Sequence, residues 1–370
     1  MKILLRLPNW LGDGVMSTPV LELLKHLFPS ASFYLVAPPT ILDLFTLDSA
    51  ITGKFEDTTK QAKNRFYATW QLGRKIHTTI GEIDIAISLT NHFYSALLLY
   101  ATRAKIRIGY KRLFGRMLLT HSLARQKNIH QVMSYAFLLT PLLENPSYNK
   151  GCLTKDSLKE LVSKPLLHLP TNISAQKTHL IIGLNPGAAY GSAKCYLPEY
   201  FAAIAAHFVS NGVEVRIYGI YQDAPLAESI IMQAQAILTQ ENLTQTLQTD
   251  SSTQDSRLQL LINRCGKTSI QELMSEISEL SVFVSNDSGS MHIASALNIP
   301  TIGIFGPTNA EETAPYKAEH FTLLSANLAC APCKKRVCPL VHHNCMKNIT
   351  PNMVIQAINN ALNEQISQVS

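Results

Sequence analysis

Three segments couple an apolar run to small residues and a charged group. In Asn9-Trp10-Leu11-Gly12-Asp13-Gly14 a carboxylate stands between two glycines, just after the apolar run at 3–7. Glycine lets the backbone turn tightly and leaves room for a ligand. A carboxylate there, ionised at neutral pH with an ordinary pKa of about 3.9, can take the proton of an attacking hydroxyl. The competing reading of Asp13 is a cap on the helix that follows.

Asn185-Pro186-Gly187-Ala188-Ala189-Tyr190-Gly191-Ser192-Ala193-Lys194 follows a second apolar run. Small residues let backbone N–H groups approach an anion, and Lys194 adds a point charge for a phosphate. A cation so placed favours a leaving group that gains negative charge in the transition state. The competing reading is a loop with an exposed lysine. Ser285-Asn286-Asp287-Ser288-Gly289-Ser290-Met291-His292 joins a third run to a helix. Amides at a helix start, aided by the dipole, bind a diphosphate. Ser288, Gly289 and Ser290 fall at that start, and Asp287 is placed to hold sugar hydroxyls. His292, about one turn into the helix, faces either a ligand or the core.

Cys330-x-x-Cys333, Cys338 and Cys345, with His342 and His343 among them, have metal-site character. The preferred reading is a thiol-rich loop with no metal, so that chelation leaves activity intact. A four-cysteine zinc or iron–sulfur site is the alternative. Seven cysteines without an export signal point to reduced thiols in a cytoplasmic protein. No Asp-x-Asp occurs, so these residues require no cofactor, with Mg²⁺ left as a supporting ion. No complete G-x-G-x-x-G occurs either, which argues against hydride transfer.

The elements that must position these groups alternate. Buried strands are expected at 2–7, 33–37, 83–89 and 105–109, and helices at 15–28, 93–103 and 132–143. The pattern loosens into a linker at 164–177 and restarts. Strands at 179–184, 213–218, 282–285 and 301–305 then combine with helices at 198–210, 223–239, 290–297 and 351–363. Continuous apolar strands between amphipathic helices indicate parallel sheets covered on both faces. The 370 residues favour two domains: 1–170, 171–350, and a closing helix at 351–370 packing back on the first. Residues 240–256, rich in Gln, Thr and Ser, read as a surface insertion.

Hydrophobic residues at 46% and charged residues at 16% suit a packed core. No apolar run reaches the length of a membrane span. The net charge is +6, but from Ile85 to Leu143 there is no Asp or Glu. That stretch holds Arg103, Lys105, Arg107, Lys111, Arg112, Arg116, Arg125 and Lys127. A one-signed field suits an anionic partner. No nucleic-acid motif accompanies it, so nucleic acid is set aside. An anionic lipid surface or a phosphorylated glycolipid fits; a solvated basic face is the plainer alternative.

Together these segments resemble the lipopolysaccharide heptosyltransferases of glycosyltransferase family 9. The resemblance runs nearly end to end. It is strongest in NWLGDGVMSTP, LNPGAAYGSAKCYLPEYFA, SNDSGSMHIASALNIPTIGIFGPT and CAPCKKRVCPLVHHNCMKNITP, the last being similar to the second heptosyltransferase type. It implies an α/β fold of GT-B type, with two Rossmann-like doubly wound domains facing a central cleft. It implies inverting transfer from ADP-heptose to the first heptose of the lipopolysaccharide inner core (heptose-Kdo-lipid A). Asp13 then falls as general base and Lys194 on the donor phosphates. Asp287, Ser288 and Gly289 take the donor, with Asn185, Gly187 and His292 beside them and Asp223 near the ribose. The acceptor falls to Asn9 and Trp10, aided by Arg103, Lys111, Arg112 and Arg116. The expected setting is peripheral, at the cytoplasmic face of the inner membrane. The alternatives are a related transferase with another core acceptor and a non-catalytic nucleotide- or glycolipid-binding protein. The 240–256 insertion and Cys195 depart from the family's usual pattern.

Overall fold

Apolar strands lose water on both faces inside a helix-covered parallel sheet, and the apolar runs at 3–5, 180–184 and 282–284 become such inner strands. In the computed structural model, which describes residues 1–145, 158–170, 179–244 and 257–369, β1 (Lys2–Arg6) pairs in parallel with β2 (Ser32–Ala37) and β4 (Ile85–Ser88). With β3 (Ile51–Glu56), β5 (Ile106–Tyr110) and β6 (His121–Leu123) they form a parallel sheet of order β3-β2-β1-β4-β5-β6. A second parallel sheet, β12-β11-β10-β7-β8-β9, is built on β7 (Ile181–Asn185). Its other strands are β8 (Glu214–Ile217), β9 (Leu261–Asn263), β10 (Val282–Asn286), β11 (Thr301–Phe305) and β12 (Phe321–Ser325). The chain divides into two compact units, Met1–His168 and Leu169–Ser370, with one sheet in each.

Strand order reverses once in each sheet, because β1 lies between β2 and β4 and β7 lies between β8 and β10. In open α/β sheets the crevice beyond the strand C-termini at such a reversal is where ligands bind. The segments at 9–14, 185–194 and 285–292 leave β1, β7 and β10 at those C-termini.

Several elements differ from the sequence expectation. The helix expected at 15–28 is two, Leu11–Met16 and Thr18–Leu27, broken where the Ser17 hydroxyl bonds the Gly14 carbonyl. The one expected at 132–143 is Gln131–Ala136, a tight turn Phe137–Leu139, and Thr140–Leu143. Proline at 141 enters the last piece at its start, where no amide is needed. A helix not foreseen, Arg65–Ile80, is capped by Asn64 and ends at Gly81 with φ +81°. It buries Thr69, Gly73, Ile76 and Ile80. At Gly73 an added Cβ would stand 2.5 Å from the Ala101 Cβ, so the glycine lets this helix lie against Phe93–Ala101. Strands β3, β6, β9 and β12 and the helix Ile270–Glu279 were also not foreseen.

The helix expected to stop at 239 runs on through Ala224–Thr244. The rest of the Gln/Thr-rich segment, 245–256, lies outside the described residues, as do 171–177 of the expected linker. The closing helix Pro351–Val369 was expected to reach back to the first domain. In its own unit its Val354, Ala357 and Ile358 complete the core formed by Ile182, Val282 and Ile304. Those apolar positions at i, i+3 and i+4 give it one buried stripe, which that core absorbs.

Candidate functional site

In the first unit the end of β1 is fixed by an internal charge. Arg6 is 3% exposed. One of its amino groups donates to the Asp57 carboxylate at 2.7 Å and to the Asn9 side-chain oxygen at 2.8 Å. Asp57 is held in turn by the Thr59 amide and hydroxyl. Burial lowers the Arg6 pKa from its ordinary value, with Asp57 opposing that shift. Removing one partner of such a buried pair strands a charge, so Asn9 sits on a rigid support. Trp10, 57% exposed, starts the Leu11–Met16 helix.

Asp13 lies in the first turn of that helix. The N-cap position belongs to Trp10, and Asp13 stands three residues inside the helix start. Its charge still suits the positive end of the helix dipole. The Tyr135 hydroxyl, 122 positions away in the chain, donates to Asp13 Oδ1 at 3.0 Å. Burial first, and then the Asp13 charge, push the Tyr135 phenol well above its ordinary pKa. The phenol therefore stays protonated and keeps donating. Gly14 does not leave ligand room: it is buried, and an added Cβ would stand 3.1 Å from Ile41 and Leu44. It lets the helix pack closely instead.

The cations separate by sheet edge. Lys111 and Arg112 follow β5, and Arg112 donates to the Asn91 carbonyl beyond β4, so both share the strand C-terminal edge with Asn9, Trp10 and Asp13; Arg116 lies in the turn Phe114–Leu118, which leads back to the start of β5, where the Leu118 carbonyl accepts Arg107. Arg103 does not share the C-terminal edge. It precedes β5 in a left-handed turn at φ +58° and sits at the opposite edge. In a parallel sheet, residues before and after one strand are a strand length apart, which removes Arg103 from the acceptor group.

In the second unit the end of β7 meets the end of β10. The Asn185 side-chain amide donates to the Ser288 hydroxyl at 2.9 Å and also bonds Ser290. Asn286, fully buried, donates to the Pro186 carbonyl at 2.7 Å and accepts the Tyr196 amide at 3.1 Å. Ser288 begins the Gly289–Ala296 helix, but its hydroxyl turns to Asn185, Ser285 and Ser290. No side chain caps the helix, so its first amides have no side-chain acceptor of that kind. Lys194 Nζ lies 2.6 Å from Asp287 Oδ2 and 3.2 Å from the Asp287 carbonyl oxygen. Both side chains are largely buried, at 12% and 6% exposure. The loop, the helix start and the ammonium thus meet. His292 lies in the same helix and is 4% exposed.

Asp223 joins this group. Its carboxylate accepts the Ile220 amide at 3.0 Å, and a Cβ on Gly187 would stand 2.3 Å from its Oδ2. Only glycine allows that approach. The same carboxylate helps raise the Cys195 and Cys265 thiol pKa values, after burial.

The cysteine segment supports the Lys194 loop. The Arg336 carbonyl accepts the Ala193 amide at 3.0 Å. The Tyr190 hydroxyl donates to the Lys334 carbonyl at 2.8 Å, and the His343 ring bonds the Ala193 carbonyl at 3.0 Å. Lys194 and Arg336 both lie over the Tyr190 ring, at 4.8 and 5.3 Å from its centre. Burial raises the Cys345 thiol pKa, followed by the nearby Cys338, Cys333 and Cys330. Among the described residues, one group has metal-like spacing: Glu22, Asp48 and His168. The Lys25 ammonium already bridges its two carboxylates at 2.7 and 2.6 Å.

Sequence reasoning missed Arg6, Asp57, Tyr135 and the support from Arg336. An arginine inside the apolar run MKILLRL was the one visible signal, since a charge in a buried strand needs a partner.

Two parallel α/β sheets, each offering polar side chains at its reversal point, match the architecture of the GT-B type. Among the described residues no helix is long and apolar enough to cross a membrane. The profile of glycosyltransferase family 9 (heptosyltransferase) matches residues 70–343, and the chain belongs to that family. It is 29% identical over 362 residues to the lipooligosaccharide heptosyltransferase 2 of Campylobacter jejuni, covering 98% of each chain. The solved ADP-heptose lipopolysaccharide heptosyltransferase II of Escherichia coli superposes with a TM-score of 0.75 at 22% identity, over 99% of both chains. An E. coli heptosyltransferase solved with ADP-2-deoxy-2-fluoro heptose gives 0.66 at 15% identity, over 97% of this chain and 99% of that one. The chain is a glycosyltransferase.

Proposed function

We propose that this enzyme moves heptose from ADP-L-glycero-β-D-manno-heptose to the first heptose of the lipopolysaccharide inner core, with inversion at the anomeric carbon. The observation that carries the reading is Lys194, held at the start of the uncapped Gly289–Ala296 helix through Asp287. A diphosphate placed there gains an ammonium and free amides together. The names of the relatives, which act in lipopolysaccharide and lipooligosaccharide assembly, favour the same donor and acceptor class.

In this mechanism an acceptor hydroxyl on the Asn9–Trp10 side attacks the anomeric carbon. The Asp13 carboxylate takes its proton. The bond from that carbon to the diphosphate oxygen breaks, and ADP leaves with the negative charge. Lys194 and the amides of Gly289 and Ser290 stabilise that charge as it grows. Asp287, released from Lys194 by the diphosphate, accepts from sugar hydroxyls, and Asp223 faces the ribose. His292 backs the helix start. Lys111, Arg112 and Arg116 draw in the anionic acceptor. The residues named require no metal, and Mg²⁺ at the diphosphate is an auxiliary ion in this reading.

The test is product mass. Purified enzyme given ADP-heptose and heptose-Kdo-lipid A should yield an acceptor heavier by one heptose. Transfer only to a different core acceptor, or donor binding with no product, would set the assignment aside.

A further inference from the structure

The turn Phe114–Leu118 carries a cluster of apolar side chains that the first unit leaves uncovered. Leu113, Phe114 and Met117 are 77%, 71% and 79% exposed. Single exposed apolar residues are ordinary, but three large ones within five positions are not. Their outward direction is built in. Gly115 is the buried member of the turn, and an added Cβ there would stand 3.4 Å from the Ala96 Cβ. The turn thus seats Gly115 on the Phe93–Ala101 helix and points its larger neighbours away from it.

Exposed cations accompany this cluster along the chain. Lys111, Arg112 and Arg116 are exposed within or beside the turn, and Arg125 and Lys127 are exposed after β6. The sequence from 85 to 143 contains no acid to neutralise them. A second copy of this face is a poor occupant, since it would set like charges against like. A bilayer interface with anionic headgroups answers both features: acyl chains take the apolar tips, and phosphates take the cations.

We propose that Leu113, Phe114 and Met117 insert into an anionic phospholipid surface, with Lys111, Arg112 and Arg116 on its headgroups. This deepens the reading above, since the insertion starts directly after Lys111 and Arg112 on the sheet edge that carries Asn9, Trp10 and Asp13. A lipid-linked acceptor would then be met without leaving the membrane.

Full-length enzyme should co-sediment with vesicles of phosphatidylethanolamine and phosphatidylglycerol, and far less with phosphatidylcholine. The L113S/F114S/M117S variant should keep its melting temperature and lose vesicle affinity by at least about tenfold. Its transfer to a deacylated, water-soluble acceptor should be unchanged, while transfer to vesicle-embedded acceptor falls. Phe114→Trp gives a second readout: brominated lipid should quench the fluorescence that this variant adds over the parent. Equal vesicle binding by parent and triple variant overturns the proposal. So does a parent that ignores anionic vesicles, an added tryptophan that lipid does not quench, or a triple variant that only splits a dimer. Vesicle binding needs no donor, so failed heptose transfer would count against the functional reading alone.

Discussion

At the scale of single residues, catalysis and support are separable. Asp13 is the carboxylate assigned to the proton, and Tyr135 fixes its direction from a buried position. Asp13→Asn keeps the shape and the Tyr135 contact but loses the base. Transfer should fall by about 10² to 10⁴, while ADP-heptose affinity, read by calorimetry, stays within about twofold; wild-type turnover would falsify the base assignment. Tyr135→Phe removes one neutral hydrogen bond to a charged partner, an interaction of about 1.5–3 kcal/mol in total. Part of that should appear as kcat lowered by roughly tenfold, with the donor KM unchanged. The acid limb of the pH–kcat profile should shift upward, because the carboxylate loses a donor that favours its charged form. A profile superposable on the parent's would leave Tyr135 a packing residue.

At the scale of elements, the Lys194 loop depends on its contact with the cysteine segment. Gly191 has φ +153°, and an added Cβ would stand 2.4 Å from the Arg336 carbonyl oxygen. That obstacle is backbone and cannot swing aside. Gly191→Ala should displace the loop, weaken ADP binding by roughly tenfold and cost about 1–3 kcal/mol of stability. Nucleotide titration and thermal melting check both, and an unaltered ADP affinity would mean that the loop does not hold the donor. The strands that bear the site were legible, because β1, β7 and β10 each carry a short buried apolar run and lead into a turn rich in glycine, asparagine or serine. The edge strand β3 was not: it alternates half-buried and exposed positions and carries Gly53 and Lys54, a weak signal for burial. The Arg65–Ile80 helix was hidden too, since two of its four buried positions are Thr69 and Gly73. Lys194, Asp287 and Ser288 were legible from their turn chemistry. Arg6–Asp57 and Tyr135–Asp13 join residues 51 and 122 positions apart, and no local pattern announces such pairs.

At the scale of the whole chain, each unit buries an ionisable group whose neutral form the fold requires, which predicts how alkali unfolds the protein. In the first unit burial pushes the Tyr110 phenol from 10.0 to about 12. In the second, burial and then the Asp223 charge push the Cys265 thiol from 9.0 to about 12. Both folded values are raised. The unfolded groups therefore ionise first, and the stability present below pH 9 is lost as pH rises through about 12. By linkage each contributes on the order of 3 kcal/mol over that window, enough to matter against a net stability of about 5–15 kcal/mol. The melting temperature should stay level from pH 7 to 9 and fall steeply between pH 9 and 12. Cys265→Ala should delay the onset, because the thiol ionises about a unit before the phenol in the unfolded chain. Two melting steps, with only the second-unit step answering to that substitution, would tie each loss to its own core. A melting temperature flat to pH 12 would mean that neither group is neutral and enclosed as the two sheets place them.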